Sequence, residues 1–274
     1  MKKNRTVESV PRVRKLSIRL ARRKFFAVSY PKSGRTWLRF MVNDYLRRCF
    51  GIDVPQVFAV ERKLRLRHRI VWTHMGGNFR RPYFGVMNFD TLMLKNVPYI
   101  FFKRNFYAIL NSAYHHRVYR RRVMDVTPSE FIRHPHCGIV HIVSYYNMWL
   151  HLRGRLTTFK SFAYEDLKQD PAGTLRRVIE AFGLPPREEW IEAAVREGSV
   201  ENMKKLAVSP DYAGTVLAPT DLNDERSAKV RSGRRASYTD LFSREDLEYI
   251  GRVIDMLYLG KDDPDFSACC RRID

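Results

Sequence analysis

The stretch FAVSYPKSGRTWLRF, residues 26–40, decides the fold of this chain. Its first residues form an apolar run typical of a buried strand, and the residues from Arg35 onward place apolar side chains at helical spacing. A strand that enters a helix through a tight glycine turn directs backbone N–H groups and the helix dipole at one point, where an anion is stabilised. The stretch predicts a phosphate-type site with Lys32 at the apex of the turn. An ordinary strand–helix turn, the alternative, leaves that lysine unexplained.

The order of residues in the turn argues against a nucleoside triphosphate loop. A Walker A loop has four residues between two glycines and then Lys-Ser or Lys-Thr. Here Lys32 precedes Gly34, and no strand ending in a magnesium-binding aspartate is evident. A metal-dependent NTPase is therefore disfavoured, and a P-loop kinase remains only as an alternative.

Apolar runs rich in β-branched and aromatic residues alternate with helical patterns along the chain, which predicts a parallel sheet. The predicted strands are Phe25–Ser29, Ile70–Thr73, Val97–Phe102 and Thr158–Ala163. Helices are predicted from about Arg35 to Arg48, after the caps Thr127 and Asp170, and from Ser243 to about Leu259. Residues 210–235 are mostly polar and are predicted to form a long loop. The fold class is α/β, a three-layer sandwich around a central parallel sheet with a P-loop-like strand–loop–helix.

The charge of the chain points to an anionic partner. The net charge is +21 over 274 residues, which favours nucleic acid, an acidic glycan, an anionic membrane face or a phosphorylated cofactor. Residues 1–24 are predicted to be a basic N-terminal extension to one domain, residues 25–274. The extension lacks the apolar segment of a secretory signal, and it is either a solvated tail or a helix on an anionic membrane surface.

The cysteines and histidines favour a cytoplasmic protein without a metal site. The four cysteines, Cys49, Cys137, Cys269 and Cys270, show neither a paired metal spacing nor a disulfide framework. The HPHC stretch, residues 134–137, has unsuitable spacing for a compact zinc knuckle. We expect reduced thiols, a cytoplasmic location and no required metal, with peripheral attachment to the inner face of a membrane as a variant.

Two further stretches carry phosphate-type signals. In VPYIFFKRNFYAILNSAYHHR, residues 97–117, a strand ends at Lys103-Arg104, and Ser112 follows about two turns into a helix. In KVRSGRRASY, residues 229–238, guanidinium groups flank a glycine that lets the backbone approach an anion. Taken singly, each has an ordinary alternative, a solvated arginine or a surface basic run.

Together these motifs resemble one family. YPKSGRTWL resembles the YPKSGTTWL loop of the sulfotransferases that use 3′-phosphoadenosine 5′-phosphosulfate (PAPS), differing only at Arg35. KRN-x6-S is similar to that family's 3′-phosphate segment, VRSGRRASY to its RKGxxGDW element, and AYEDLKQDP, residues 163–171, to its YEDLKxDP segment. The resemblance runs from about Phe25 to Phe242. It implies a sulfotransferase that moves a sulfuryl group from PAPS to a hydroxyl or amine, with 3′-phosphoadenosine 5′-phosphate (PAP) as product and no metal.

The resemblance also implies a role for each matching residue. Lys32 would stabilise the leaving phosphate, and His74 would take the proton of the acceptor. Trp37 and Tyr164 would sandwich or edge the adenine. The expected catalytic residues are Lys32, His74 and Ser112. The expected donor-binding residues are Lys32, Ser33, Gly34, Arg35, Thr36, Trp37, Arg104, Ser112, Tyr164, Arg231, Ser232 and Gly233.

Several positions depart from the family pattern and indicate a distant, for instance bacterial, member. Trp72 stands where the family often has lysine, Val200 where a phenylalanine is common, and Ser237-Tyr238 where Asp-Trp is usual. Arg35 replaces a threonine, and its side chain has no assigned role.

The acceptor is expected to be acidic, such as a glycan or an anionic lipid headgroup, because arginines flank the site. These are Arg80, Arg81, Arg117, Arg120, Arg121 and Arg122. A nucleic-acid- or polyanion-binding protein on a sulfotransferase-like scaffold is the alternative from another functional class. The scarcity of aromatic residues within the basic runs counts against it.

Overall fold

The computed structural model describes residues 25–64, 70–77, 79, 96–221, 229 and 238–272. The strands are β1 (Phe25–Val28), β2 (Ile70–Thr73), β3 (Tyr99–Lys103) and β4 (Phe159–Ala163). The α-helices are α1 (Arg35–Cys49), α2 (Ala59–Lys63), α3 (Phe106–His115), α4 (Pro128–Arg133), α5 (Ile139–Arg153), α6 (Tyr164–Gln169), α7 (Pro171–Ala181), α8 (Glu188–Glu197), α9 (Val200–Ala207), α10 (Tyr238–Leu241) and α11 (Arg244–Leu257). A π-helical turn, His116–Arg120, continues α3, and 3₁₀ turns span Pro210–Tyr212 and Ser267–Cys269.

The four strands form one parallel sheet in the order β2-β1-β3-β4. Phe26 of β1 lies opposite Val71 of β2 on one side and Tyr99 of β3 on the other. All four predicted strands are present, with ends that differ from the prediction by at most two residues. The predicted parallel sheet is confirmed.

Alternation of side chains along the strands produces two cores and three layers. Phe26, Val28 and Phe101 face a cluster that includes side chains of α3, α4, α5 and α11. Phe25 and Ala27 face the opposite cluster, which includes side chains of α1, α7 and α8. The α/β fold with helices on both faces of a parallel sheet is confirmed.

The helix caps follow the sequence signals. Thr127 and Glu130 form a reciprocal capping box at the start of α4, and Ser243 and Asp246 form another at the start of α11. Asp170 accepts a hydrogen bond from the backbone N–H of Gly173 at 2.8 Å. Within the described ranges, none of the helices combines the length and the apolar character needed to cross a bilayer.

Candidate active site

The strand order brings four segments to one edge of the sheet. The chain passes from β1 through α1 to β2 on one side, and it reaches β3 on the other side of β1. The loops after β1 and β3 therefore diverge at a topological switch point, where open α/β sheets bind ligands. Lys32 follows β1, His74 follows β2, Arg104 follows β3, and Tyr164 follows β4. These four predicted site residues, one after each strand, therefore lie at the same edge of the sheet.

The loop after β1 has an unusual backbone. Lys32 lies in the left-handed region with φ 73°, and Gly34 follows with φ 86° as the N-cap of α1. A β-carbon on Gly34 would lie 2.3 Å from Cδ2 of Tyr164, so only glycine lets the loop approach that ring. A left-handed lysine is strained, and such strain is concentrated at functional sites.

Arg104 joins the second motif to this loop. Its Nη1 donates a hydrogen bond to the backbone oxygen of Lys32 at 2.6 Å, and its guanidinium carbon lies 4.2 Å from the centre of the Tyr164 ring. The residue is almost completely buried. The neighbouring Lys103 instead binds the backbone oxygen of Asp265. Ser112 lies two turns along α3, on a partly buried position.

The two predicted adenine-contacting rings touch each other. Trp37 and Tyr164 meet edge to face with centroids 5.9 Å apart, and the indole Nε1 of Trp37 donates to the backbone oxygen of Gly198 at 2.7 Å. No planar base fits between rings at this distance, so the expected sandwich is not the arrangement observed. An edge contact with Trp37 is compatible with the geometry. Tyr164 packs against Gly34, Trp37 and Arg104, and it therefore holds the loop in place.

His74 has a defined tautomer. Its Nδ1 lies 2.8 Å from the backbone oxygen of Ser29, and since a carbonyl oxygen only accepts, Nδ1 carries the proton. Its Nε2 lone pair accepts a hydrogen bond from Nη2 of Arg35 at 3.0 Å. Burial, followed by the positive charge of Arg35, lowers the pKa of His74 to about 3. The ring is therefore neutral, with Nε2 as its acceptor atom.

Positively charged side chains surround this histidine, among them Arg35, Lys229 and Lys32. Burial, reinforced by Arg120, Arg35 and Arg39, lowers the pKa of Lys229 to about 7. Neither Arg35 nor Lys229 forms an ion pair with a carboxylate in the described part of the chain. This concentration of positive charge around Arg35 and Lys229 stabilises a bound anion.

His116 is a further residue of this region that was not among the expected site residues. The chain widens into a π-helical turn at this residue, and the residue is half-buried. Burial, followed by the charges of Lys32 and Arg120, lowers the pKa of His116 to about 2. The only local signal was the pair His115-His116 after Ser112. A π-helical insertion often marks a functional site, but its position does not follow from periodicity.

Other predicted residues lie elsewhere or outside the described ranges. Arg231, Ser232 and Gly233 belong to the undescribed residues, as do Arg80 and Arg81. Arg120 donates to the backbone oxygens of Val216 and Ala218, and Arg122 pairs with Asp221, so both hold the segment that follows α9. Across the described ranges, no cluster of three His, Cys, Asp or Glu side chains could hold a metal ion.

Comparison with known proteins agrees with this architecture. Residues 22–262 match the sulfotransferase domain family. Human sulfotransferase 2B1 is 25% identical over 247 residues, which are 83% of this chain and 64% of the human protein. Flavonol 4′-sulfotransferase of Flaveria chlorifolia is 24% identical over 258 residues, 84% of this chain and 77% of the plant protein. Mouse sulfotransferase SULT7A1 complexed with PAP superposes with a TM-score of 0.61 at 17% identity, covering 90% of this chain and 87% of that chain.

The fold and the strand ends define an α/β protein with a P-loop-like strand–loop–helix at its centre. Because the family match covers most of the chain, the chain belongs to the sulfotransferase domain family. The resemblance to PAPS-dependent sulfotransferases, and the enzyme class it implied, are confirmed at the level of the family. The P-loop kinase alternative is thereby set aside.

Proposed function

We propose that this enzyme transfers the sulfuryl group of PAPS to a hydroxyl group of an acidic acceptor, with His74 as the base. The observation that carries the proposal is the hydrogen bond between Arg104 and the backbone of Lys32. It joins the loop after β1 to the strand end of β3 at the switch point of the sheet. A donor with phosphate at both ends of a nucleoside needs two such anion sites close together. Solved relatives are described with PAP, the product of this donor.

Each end of the donor has its own set of residues. The 5′-phosphosulfate would lie at the N-terminus of α1, beside Lys32 and the backbone N–H groups of residues 33–36. The 3′-phosphate would lie beside Arg104 and Ser112, with residues 231–233 completing the site. Trp37 would contact the edge of the adenine. The buried guanidinium of Arg104 suits a phosphate, since its planar fork matches two oxygens at once.

The reaction needs one proton removed and one charge stabilised. The acceptor oxygen forms a bond to sulfur as the sulfur–oxygen bond to the phosphate breaks, and the electron pair of that bond stays on the phosphate. His74 takes the hydroxyl proton on Nε2, because its Nδ1 proton is committed to the Ser29 carbonyl. Lys32 stabilises the negative charge that develops on the leaving phosphate oxygen.

The positive charge around His74 supports the proposal that the acceptor is acidic, such as a glycan or an anionic lipid headgroup. Lys229 lies in the same cluster as Arg35 and Arg120, and no described carboxylate pairs with it. Acidic acceptors should therefore outperform neutral ones of the same size at low salt, and the difference should shrink as salt is added. Equal turnover of both acceptors at every salt concentration contradicts this part of the proposal.

The experiment that tests donor use is calorimetric titration with PAP. The wild type should bind PAP, and Lys32→Ala should bind it roughly 10- to 100-fold more weakly, because a charge-assisted hydrogen bond is lost. His74→Ala should retain PAP binding and lose transfer from PAPS. A wild type that binds no PAP refutes the proposed function. Retained transfer by His74→Ala places the base elsewhere.

The N-terminal extension, residues 1–24, is proposed as a segment separate from the domain 25–274. Ten basic residues against one acidic residue support attachment to an anionic membrane surface. Full-length protein should sediment with vesicles containing phosphatidylserine, and a variant lacking residues 2–24 should not. Equal sedimentation of both proteins argues for a solvated tail.

A further inference from the structure

Two arginines one turn apart on α1 have different surroundings. Arg39 donates from Nε to Oε1 of Glu61 at 2.6 Å, and a second hydrogen bond completes a two-point ion pair. Arg35 has no such partner among the described residues, and its Nη1 is buried without any hydrogen bond. A buried guanidinium that no carboxylate neutralises costs folding free energy. A ligand anion bound at this site would offset that cost.

The one hydrogen bond that Arg35 makes to another described residue conflicts with the proposed role of His74. Nη2 of Arg35 lies 3.0 Å from Nε2 of the imidazole. The Nδ1–H of the same ring already donates to Ser29. Nε2 is therefore the only lone pair that can take the proton of an acceptor. Arg35 and the acceptor hydroxyl compete for it.

Arg35 is also placed to reach the donor. It is the first residue of α1, so its backbone stands at the helix N-terminus, where the 5′ end of the donor is proposed to lie. A guanidinium binds a phosphate or sulfate through two parallel hydrogen bonds, which are roughly twice as strong as neutral ones. Bound donor therefore offers Arg35 a stronger partner than the neutral imidazole.

We propose that Arg35 is a positioning residue for His74: its guanidinium occupies Nε2 in the donor-free enzyme and moves onto the phosphosulfate when the donor binds. This movement frees Nε2 for the acceptor hydroxyl. The inference rests on the proposed function, and it makes the availability of the base dependent on the donor. A donor-free enzyme then cannot activate an acceptor.

The charges that face His74 also link its pKa to donor binding. They are the guanidinium of Arg35, the ammonium groups of Lys32 and Lys229, and the carbonyl dipole of Ser29. The three cations disfavour a protonated imidazole in the donor-free protein. Negative charge on a bound donor offsets them, and departure of Arg35 removes the nearest one. The pKa of His74 should therefore rise when the donor site fills, which makes the ring a better proton acceptor.

The test is a histidine NMR titration of the full-length chain between pH 5 and 8, with and without PAP. His74→Gln assigns the signal. In the wild type, His74 should stay neutral throughout without PAP, and PAP should raise its pKa into this range. In Arg35→Gln, the donor-free protein should already show partial protonation of His74 at the acid end of this range, because one of the charges that lower its pKa is gone, and PAP should change the pKa less. Arg35→Lys should lie between the two.

Arg48→Gln is the matched control, since it removes one arginine from the far end of the same helix and leaves Arg47 on Asp44. It should titrate as the wild type does. Identical His74 titrations in the wild type, Arg35→Gln and Arg35→Lys, each with PAP bound and absent, overturn the inference while leaving the proposed function intact. Absence of PAP binding to the wild type overturns the proposed function itself. If Arg35→Gln does not fold, the Arg35→Lys titration decides.

Discussion

The left-handed backbone of Lys32 allows a prediction in which stability and ligand binding change in opposite directions. A residue with a β-carbon at φ 73° is strained by roughly 1–2 kcal/mol relative to glycine. Replacement by glycine relieves that strain but adds about 0.5–1 kcal/mol of unfolded-chain entropy. Lys32→Ala and Lys32→Gly both lose the ammonium group. The difference between their free energies of unfolding therefore reports the contribution of the backbone conformation alone.

Lys32→Gly should therefore be more stable than Lys32→Ala by about 0.5–1 kcal/mol. For a domain of this size, the difference corresponds to roughly 1–4 °C in melting temperature. Both variants should bind PAP roughly 10- to 100-fold more weakly than the wild type, because the ammonium group is lost from both. The assays are urea unfolding followed by circular dichroism, thermal unfolding, and calorimetric titration with PAP.

Two results refute the reasoning in different ways. If Lys32→Ala is as stable as Lys32→Gly or more so, the backbone at this position is not strained. If either variant binds PAP as tightly as the wild type, the lysine is not a donor ligand, and the strain has no connection with binding.

Three further changes test separate features. Gly34→Ala should destabilise the fold by about 2–4 kcal/mol in urea unfolding, because its β-carbon meets the Tyr164 ring and its φ of 86° favours glycine; wild-type stability would show that the ring moves away at little cost. Arg104→Ala should weaken PAP binding roughly 10- to 100-fold by calorimetry, and an unchanged affinity would remove Arg104 from the 3′-phosphate site. The melting temperature should fall as pH drops from 7 to 4, because the unfolded chain protonates His74 and His116 near their ordinary pKa while the folded chain holds them neutral down to about 3 and 2. Replacing both histidines with glutamine should flatten this dependence, and an unaltered slope would assign it to other groups.

Local patterns in the sequence were enough to place the elements and the residues at their ends. Strand periodicity and caps such as Thr127 and Asp170 act over a few residues, and each was identified with errors of one or two positions at the element boundaries. Lys32, His74 and Arg104 could be proposed as site residues because each lies in the segment that follows a predicted strand, and parallel strands end at one edge.

The arrangement of the site residues depends on contacts between distant segments. Arg104 reaches Lys32 across 72 residues, and Arg35 reaches His74 across 39, because β1 lies between β2 and β3 in the sheet. The sequence patterns specify which segments become strands. The alternation of side chains along a strand does not specify which other strands lie beside it.

The sequence by itself therefore determined the α/β class, the family, and the loop that is proposed to bind the donor. Only the tertiary structure decided that Arg35, an unexplained departure from the family loop, lies on the proposed base. The physical reason is that a hydrogen bond between two side chains depends on the order and register of strands, which are set by the packing of the whole sheet.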